Sequence, residues 1–472
     1  MSIFKADHLA EWSGGIWKRK PNNSIYGFSI DSRMVQSGDL FVAVKAARNG
    51  HDFISSAERN GAYGALVEAY KSDVSIPQLV VSDTVDAFHK IAHVHRTSFH
   101  GKVVGVTGSC GKTSTKDILG LLLGEKNTIK TKGNLNNHLG VPLTLLTFDG
   151  RKHRFAVVEA GINQLGEMSK LANTISPNLV IVTMIGPSHL EGLGTVENIA
   201  SEKADLFLTS NKTETVIFPE DCLKYEKFKT RYDSGKGVVV LREGEPKSDP
   251  SPNEAFYSIW TETNKDEGPC QLRLWRYGSS SFSLSIPKMS DGMIRNAALA
   301  VLAACELGVS VQEISERLPL FRPSALRGKC FQGRGRSYFL DCYNANPSSM
   351  LDSIKYFTDQ FQDRKKLFVL AGMEELGSDE KKFHVDLGSE ILIGENDLVI
   401  LIGEKAAWFA EGLITTGCRD NQIIVLGEIE DAISIVEDFE GAILFKGSRS
   451  YKLEKLLPGW AIDNELENET EC

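Results

Sequence analysis

The stretch Gly105-Val106-Thr107-Gly108-Ser109-Cys110-Gly111-Lys112-Thr113-Ser114 carries the residue types needed to hold phosphate. Glycines let backbone N–H groups close on an anion, and a helix N-terminus behind them adds the positive end of its dipole. Lys112 can reach the outer phosphates of a nucleoside triphosphate, and the Thr113 hydroxyl can hold Mg²⁺. The loop is short, with two residues between Gly108 and Gly111 where the usual phosphate loop has four. Glycine-rich strand-to-helix turns are common in α/β folds; the Lys-Thr pair directly after Gly111 is what favours a nucleotide.

A phosphate loop names a ligand and leaves the reaction to side chains at the carboxyl ends of neighbouring strands. Glu159 follows the apolar run Phe155-Ala156-Val157-Val158 and precedes Ala160-Gly161, where a carboxylate can face Mg²⁺ or serve as a plain salt-bridge residue. His189 sits in Gly186-Pro187-Ser188-His189-Leu190-Glu191, after the next apolar run from Leu179 to Ile185. Lys203, within Ala200-Ser201-Glu202-Lys203-Ala204-Asp205, reads first as one more charge on a helix. Asn134, Asn136 and Asn137 lie between Gly133 and Gly140, a density of amides that suits either polar-ligand recognition or turn capping. In Asp341-Cys342-Tyr343-Asn344-Ala345-Asn346-Pro347, which also follows a strand run, Asp341 can hold ribose hydroxyls, while Asn344 and Asn346 can read a base or peptide edge.

The elements that must position these groups fall into three stretches. Residues 1–100 form short α/β elements, with strands at Phe41–Val44 and Ala65–Val67 and a helix from Ala87 to Phe99. Two polar loops there stand out, one with Ser32-Arg33 and the other running from Arg48 to His51. Residues 101–318 alternate apolar runs with helical patterns, as in a doubly wound parallel sheet buried on both faces. Within them, the polar stretch from Glu243 to Pro287 reads as an excursion from the sheet with a surface hairpin around Gly278. A segment from Pro319 to Pro323 reads as a linker into residues 319–472. There, runs at 338–340, 367–370, 398–401, 423–426 and 442–445 predict another α/β sheet, followed by an acidic tail.

Composition narrows the class. With 472 residues the chain needs more than one core, and 42% apolar with 24% charged residues suits a water-soluble globular enzyme. A net charge of -9 argues against nucleic acid as the main partner. The start of the chain lacks a basic, apolar leader, no run is long enough to span a bilayer, and the eight cysteines are scattered without CxxC pairs. A reduced, cytoplasmic setting is the expectation.

Taken together, these motifs resemble the Mur ligase family over nearly the whole chain. The matching parts are the loop at 107–113, the asparagine-rich segment at 131–146, Glu159-Ala160-Gly161, residues 186–205 and residues 343–350. Gly372-Met373-Glu374-Glu375-Leu376-Gly377 with His384, and Lys446-Gly447-Ser448-Arg449, match as well. The family usually has Asn at the Cys110 position. The resemblance implies an α/β protein of three domains: a UDP-substrate-binding domain at 1–100, a central ATPase domain with a P-loop-type parallel sheet at 101–318, and a Rossmann-like domain at 319–472. It implies ATP-dependent amide ligation with Mg²⁺; a monomer is the expectation for the chain. The asparagine-rich and YNANP segments are similar to those of the branch that couples UDP-N-acetylmuramoyl-tripeptide to D-alanyl-D-alanine.

By that similarity Lys112, His189, Lys203 and Arg327 are catalytic, Ser32 and Arg33 contact the UDP-sugar end, and Asn134, Asn136 and Asn137 hold the nucleotide-peptide. Glu159, His189 and Thr113 ligate Mg²⁺, and Lys203 matches a lysine that carries a CO₂-derived carbamate. Asn296 sits at the adenine, Asp341 at the ribose and Arg327 at the γ-phosphate. Arg322 and Lys329 are alternatives to Arg327, because Ala325-Leu326-Arg327-Gly328-Lys329 departs from the family pattern. Three other readings remain open here: a sister ligase adding another amino acid or extending folate with glutamate, a nucleotide-operated switch, and a non-catalytic relative of the fold. Asn211-Lys212-Thr213-Glu214 superficially suits the switch but has Glu where a guanine-reading motif needs Asp.

Overall fold

A computed structural model describes residues 3–260, 270–278 and 281–461, and three separate sheets organise them. The first contains β1 (Ile16–Lys18), β2 (Gly27–Ser29), β3 (Asp39–Val42), β4 (Gly64–Val67) and β5 (Gln78–Val80), in the order β1-β5-β4-β3-β2 with only β1 antiparallel. The second is nine-stranded: β6 (Lys102–Thr107), β7 (Thr128–Lys130), β8 (Phe155–Glu159), β9 (Leu179–Val182), β10 (Thr215–Pro219), β11 (Val238–Glu243), β12 (Glu254–Trp260), β13 (Cys270–Arg276) and β14 (Phe282–Ile286). Its order is β14-β13-β12-β11-β10-β9-β6-β8-β7, parallel from β7 through β12. The third holds β15 (Lys329–Gly333), β16 (Arg336–Asp341), β17 (Lys366–Ala371), β18 (Leu398–Ile402), β19 (Ile423–Leu426) and β20 (Ala442–Lys446), in the order β15-β16-β20-β17-β18-β19.

The unbroken apolar runs explain why the central strands are buried on both faces. Successive side chains point to opposite sides of a strand, so each run feeds two cores at once. Val103, Ala156, Val158, Val180 and Val182 face one core, while Val104, Val106, Val157, Leu179 and Ile181 face the other. Each fully buried valine, leucine or isoleucine among them contributes about 1.5–3 kcal/mol. The parallel register sets Val106 beside Glu159 and Thr107 beside Val182, so the loops leaving β6, β8 and β9 emerge at one edge of the sheet.

The stretch from Glu243 to Pro287 is not an excursion. β12, β13 and β14 continue the central sheet, with β13 and β14 antiparallel. Their core-facing residues Ala255, Tyr257, Leu272, Leu274, Leu284 and Ile286 alternate with less buried ones, among them Arg273, Ser283 and Ser285, because these strands bury one face. The hairpin lies where expected; Ser279 and Ser280 of its turn, like the acidic tail, fall outside the described residues. The linker segment includes the short turn Leu318–Leu320, and Leu318 and Phe321 pack into the central core.

The first unit shares a core with one face of the central sheet, with Leu66, Phe88 and Ile91 joining Val103 and Val158. Buried Arg96, on the helix Thr84–Thr97, fixes that junction: it donates to the carbonyls of Ile175 (2.8 Å) and Ser176 (2.7 Å) and to Asn178 Oδ1 (3.2 Å). Arg96→Leu removes the donors and strands buried carbonyls, so we expect a loss of about 2–4 kcal/mol and a melting midpoint several degrees lower. An unchanged midpoint would mean that apolar packing alone holds this junction. No helix among the described residues is long and apolar enough to cross a membrane.

Candidate active site

The phosphate loop bridges β6 and the helix Lys112–Leu122, and its two inner glycines answer to sterics. Gly108 has φ 150°, and a Cβ there would lie 1.8 Å from Thr183 Oγ1; at Gly111, with φ 80°, it would lie 2.5 Å from Asn296 Oδ1. Ser109 ties the loop to the chain after β9: its hydroxyl donates to the Gly186 carbonyl (2.7 Å) and accepts from the Gly186 N–H (3.0 Å). Lys112 Nζ donates to the Gly108 carbonyl at 2.8 Å, curling back over the loop it must neutralise around. Burial pulls the Lys112 ammonium below its ordinary value, with Glu159 opposing that shift. Cys110 Sγ lies 3.0 Å from Met184 Sδ, and burial pushes the thiol up to about 11, so it stays protonated. Its side chain turns toward Met184, leaving the position to act through its backbone.

Glu159, at the end of β8, is buried and fully engaged. Its carboxylate accepts from Thr113 Oγ1 (2.9 Å) and Asn136 Nδ2 (2.7 Å), and its N–H donates to Thr131 Oγ1 (2.9 Å). Lys116, one helical turn beyond Lys112, is buried beneath it; its ammonium donates to the Thr131 carbonyl at 2.9 Å and sits 4.0 Å from the carboxylate. Thr113 and Glu159 are therefore in hydrogen-bond contact, a pair of hard oxygen donors of the sort that holds Mg²⁺ while phosphates and water complete the shell.

The third sheet supplies the opposite wall. Asp341 and Lys446 are register partners on β16 and β20, and their side chains pair at 2.9 Å. Ser353 Oγ also donates to Asp341, and Lys446 Nζ donates to the Asn344 carbonyl at 2.8 Å. The Arg327 guanidinium stacks 3.7 Å from the centroid of the Tyr343 ring, which holds the cation flat against the wall. Asp352 reaches across to the N-terminus of the helix Asp291–Glu306, accepting from Ser290 Oγ (2.6 Å) and the Gly292 N–H (2.9 Å). Between the walls lies a cavity of about 820 Å³, lined by the loop from Ser109 to Ser114 on one side and by Arg327 and Asp341 on the other.

Most of the expected residues meet in this cavity. Asn134, Asn136, Asn137, Glu159, His189, Asn296, Arg327, Asp341, Asn344 and Asn346 all line it. Two of the amides are occupied by local structure, since Asn137 accepts from the N–H groups of Leu139 and Gly140, and Asn346 caps the helix Pro347–Gln360. Lys203 does not line the cavity. It is buried, and its ammonium is pulled far down, first by burial and then by the charge of Lys112. Ser32 and Arg33 lie on the first unit away from the cavity, where Arg33 forks onto Asp31. His51 has both ring nitrogens engaged, by Asn49 and by the Glu68 N–H. Among the described residues no group of three His, Cys, Asp or Glu side chains is gathered for a metal ion.

Sequence reasoning missed Lys116, Asp352 and the partnership of Lys446 with Asp341. Lys116 left one signal, its spacing of four from Lys112 on the same helix face. The other two depend on a strand register and on a contact between units, which no local pattern announces.

Comparison with known proteins bears on the whole chain. The Mur ligase middle domain matches residues 106–304, and the Mur ligase glutamate ligase domain matches residues 327–449. A UDP-N-acetylmuramoyl-tripeptide–D-alanyl-D-alanine ligase of Bacillus subtilis is 29% identical over 92% of this chain and 92% of its own. A crystal structure of MurF from Acinetobacter baumannii superposes with a TM-score of 0.84 at 28% identity, covering 97% of this chain and 98% of that one. MurF ligase from Thermotoga maritima, solved in complex with ADP, gives 0.73 at 28% identity over 91% and 96%.

Proposed function

The chain belongs to the Mur ligase family, and on that premise we propose that it joins D-alanyl-D-alanine to UDP-N-acetylmuramoyl-tripeptide, using ATP and releasing ADP and phosphate. One observation carries the reading: a phosphate loop with Lys112 faces Arg327 and Asp341 across a single cavity of about 820 Å³, with Glu159 at its edge.

A carboxylate is a poor electrophile, so ligation needs it activated. The terminal carboxylate of the tripeptide attacks the γ-phosphorus of ATP, the bond to the β-phosphate oxygen breaks, and ADP leaves. The amine of D-alanyl-D-alanine then attacks the acyl phosphate, and the tetrahedral adduct expels phosphate. Lys112 is placed to hold the charge of the transferring phosphoryl group from the loop side, and Arg327, braced on Tyr343, from the other. Asp341 is offered to the ribose hydroxyls and Asn296, packed on Gly111, to the base side of the nucleotide. Mg²⁺ would be held by Thr113 and Glu159, with His189 and a carbamate on Lys203 as further ligands; when bound, it neutralises phosphate charge. An acyl phosphate hydrolyses in open water, so the reaction requires the two units that wall the cavity to close over it.

Ser32 and Arg33 would take the UDP end, the asparagines at 134, 136 and 137 the length of the peptide, and Asn344 with Asn346 the acceptor side. The reading also places the enzyme in the cytoplasm, as a monomer carrying every unit that the substrate crosses. Its test is phosphate release from ATP with UDP-N-acetylmuramoyl-tripeptide present. We expect release to depend on D-alanyl-D-alanine and a product heavier by that dipeptide less water. Release that ignores the dipeptide, or that follows glutamate or a single amino acid instead, would overturn it.

A further inference from the structure

The segment Gly372–Gly377 matched the family in sequence without acquiring a role, and the structure holds it from all sides. The Met373 N–H donates to Nε2 of buried His384 at 2.9 Å, and His384 Nδ1 is bonded to the Glu380 carbonyl at 2.6 Å. That arrangement fixes the imidazole as a neutral ring with its proton on Nδ1. The Glu374 N–H donates to Ser448 Oγ at 3.0 Å, and the Glu374 carboxylate accepts from Lys405 (2.6 Å) and from the Tyr451 hydroxyl (3.0 Å). Leu376 is buried in the core of the third unit. In the middle of this rigid frame, Glu375 alone points outward, with a left-handed φ of 64°.

What Glu375 meets is the central unit. Its carboxylate is hydrogen-bonded to Nδ1 of His189, and its carbonyl accepts from the Glu191 N–H at 3.3 Å. His189 is itself left-handed, with φ 52°, and the loop behind it is closed by bonds from the Gly192 and Leu193 N–H groups to its carbonyl. Two non-glycine residues in a sparsely populated conformation thus touch through both backbone and side chain. Such strained pairs persist where the surroundings determine them, and they gather at functional sites. A carboxylate bonded to one ring nitrogen orients the imidazole, sets its tautomer and leaves the other nitrogen to a ligand.

We infer that Glu375 is a positioning residue that aims Nε2 of His189 into the cavity, so that the cation ligand on the central unit is set only when the third unit is docked. This rests on the reading of His189 as a ligand of Mg²⁺. It goes further by making the third unit part of the cation site without supplying a ligand to it. Docking and cation binding then favour one another, since each holds the same ring in place.

Mn²⁺ serves as the probe, with free ion read by electron paramagnetic resonance in the presence of a non-hydrolysable ATP analogue. Glu375→Gly removes the carboxylate while suiting the left-handed backbone, so the loop keeps its course. Glu375→Gln keeps an acceptor for Nδ1–H. We expect Glu375→Gly to weaken Mn²⁺ about 10–100-fold, with kcat falling and the KM for D-alanyl-D-alanine unchanged, and Glu375→Gln to recover most of the loss. Mn²⁺ held as tightly by Glu375→Gly as by the parent, while His189→Ala releases it, would overturn the positioning role and leave the ligand role of His189 standing. Mn²⁺ binding untouched by His189→Ala would remove both, and the melting midpoint of each variant reports that the chain is folded.

Discussion

Lys112→Ala should lower ATP-dependent phosphate release by at least about 10²–10³-fold, the range seen when one preorganised charge stabiliser is removed from a transition state. The loss should fall on kcat more than on nucleotide binding, because the loop's backbone N–H groups still cradle the phosphates. The fold should survive. Lys112 is tied to its own loop by one bond to the Gly108 carbonyl, and burial makes its ammonium hold its proton less tightly folded than unfolded. Such a group costs stability at neutral pH, and the cost fades as pH rises toward the unfolded value near 10.5. Removing it therefore gives a melting midpoint equal to or above that of the parent at pH 7, with the difference shrinking in alkaline buffer. Turnover near the parent's would refute the role of this loop in phosphoryl transfer.

What could be seen in the sequence was whatever a local pattern dictates. The loop was legible because two of its positions admit only glycine, as the close approach of Thr183 to Gly108 and of Asn296 to Gly111 shows. Glu159 was legible because it ends an apolar run buried on both faces, which must be a parallel strand pointing its carboxyl end at the loop. The asparagines were half legible. An amide caps a helix as readily as it reads a ligand, and Asn137 and Asn346 cap while Asn136 reaches Glu159. β12 to β14 were misread because a strand buried on one face has the composition of a surface segment. Contacts between units were invisible: neither the bond of Asp352 to Ser290 nor that of Glu375 to His189 has any sequence neighbour to betray it. Burial of Lys203 was hidden as well, since a lysine on a helix is ordinarily solvated.

That burial makes Lys203 the second decisive position. Its ammonium is held far below its usual value by burial, with Lys112 adding repulsion, and no carboxylate pairs with it among the described residues. An amine that holds its proton less tightly has its lone pair free more of the time. It can add to the carbon of CO₂, forming a carbamate and releasing one proton, which turns an uncharged amine into an anion with two oxygens. The buried anion would be repelled less by its surroundings than the buried cation, because Lys112 then attracts it. Lys203→Ala should thus reduce phosphate release by at least about 10²-fold, and formate or acetate should restore part of it by entering the space that the butylamine chain vacates. With ¹³C-labelled bicarbonate, the parent should show a carbamate carbon resonance that the variant lacks. A variant that no short carboxylate revives, in a parent with no such resonance, would mean that Lys203 acts as an amine and that the cation is held by Thr113, Glu159 and phosphate oxygens alone.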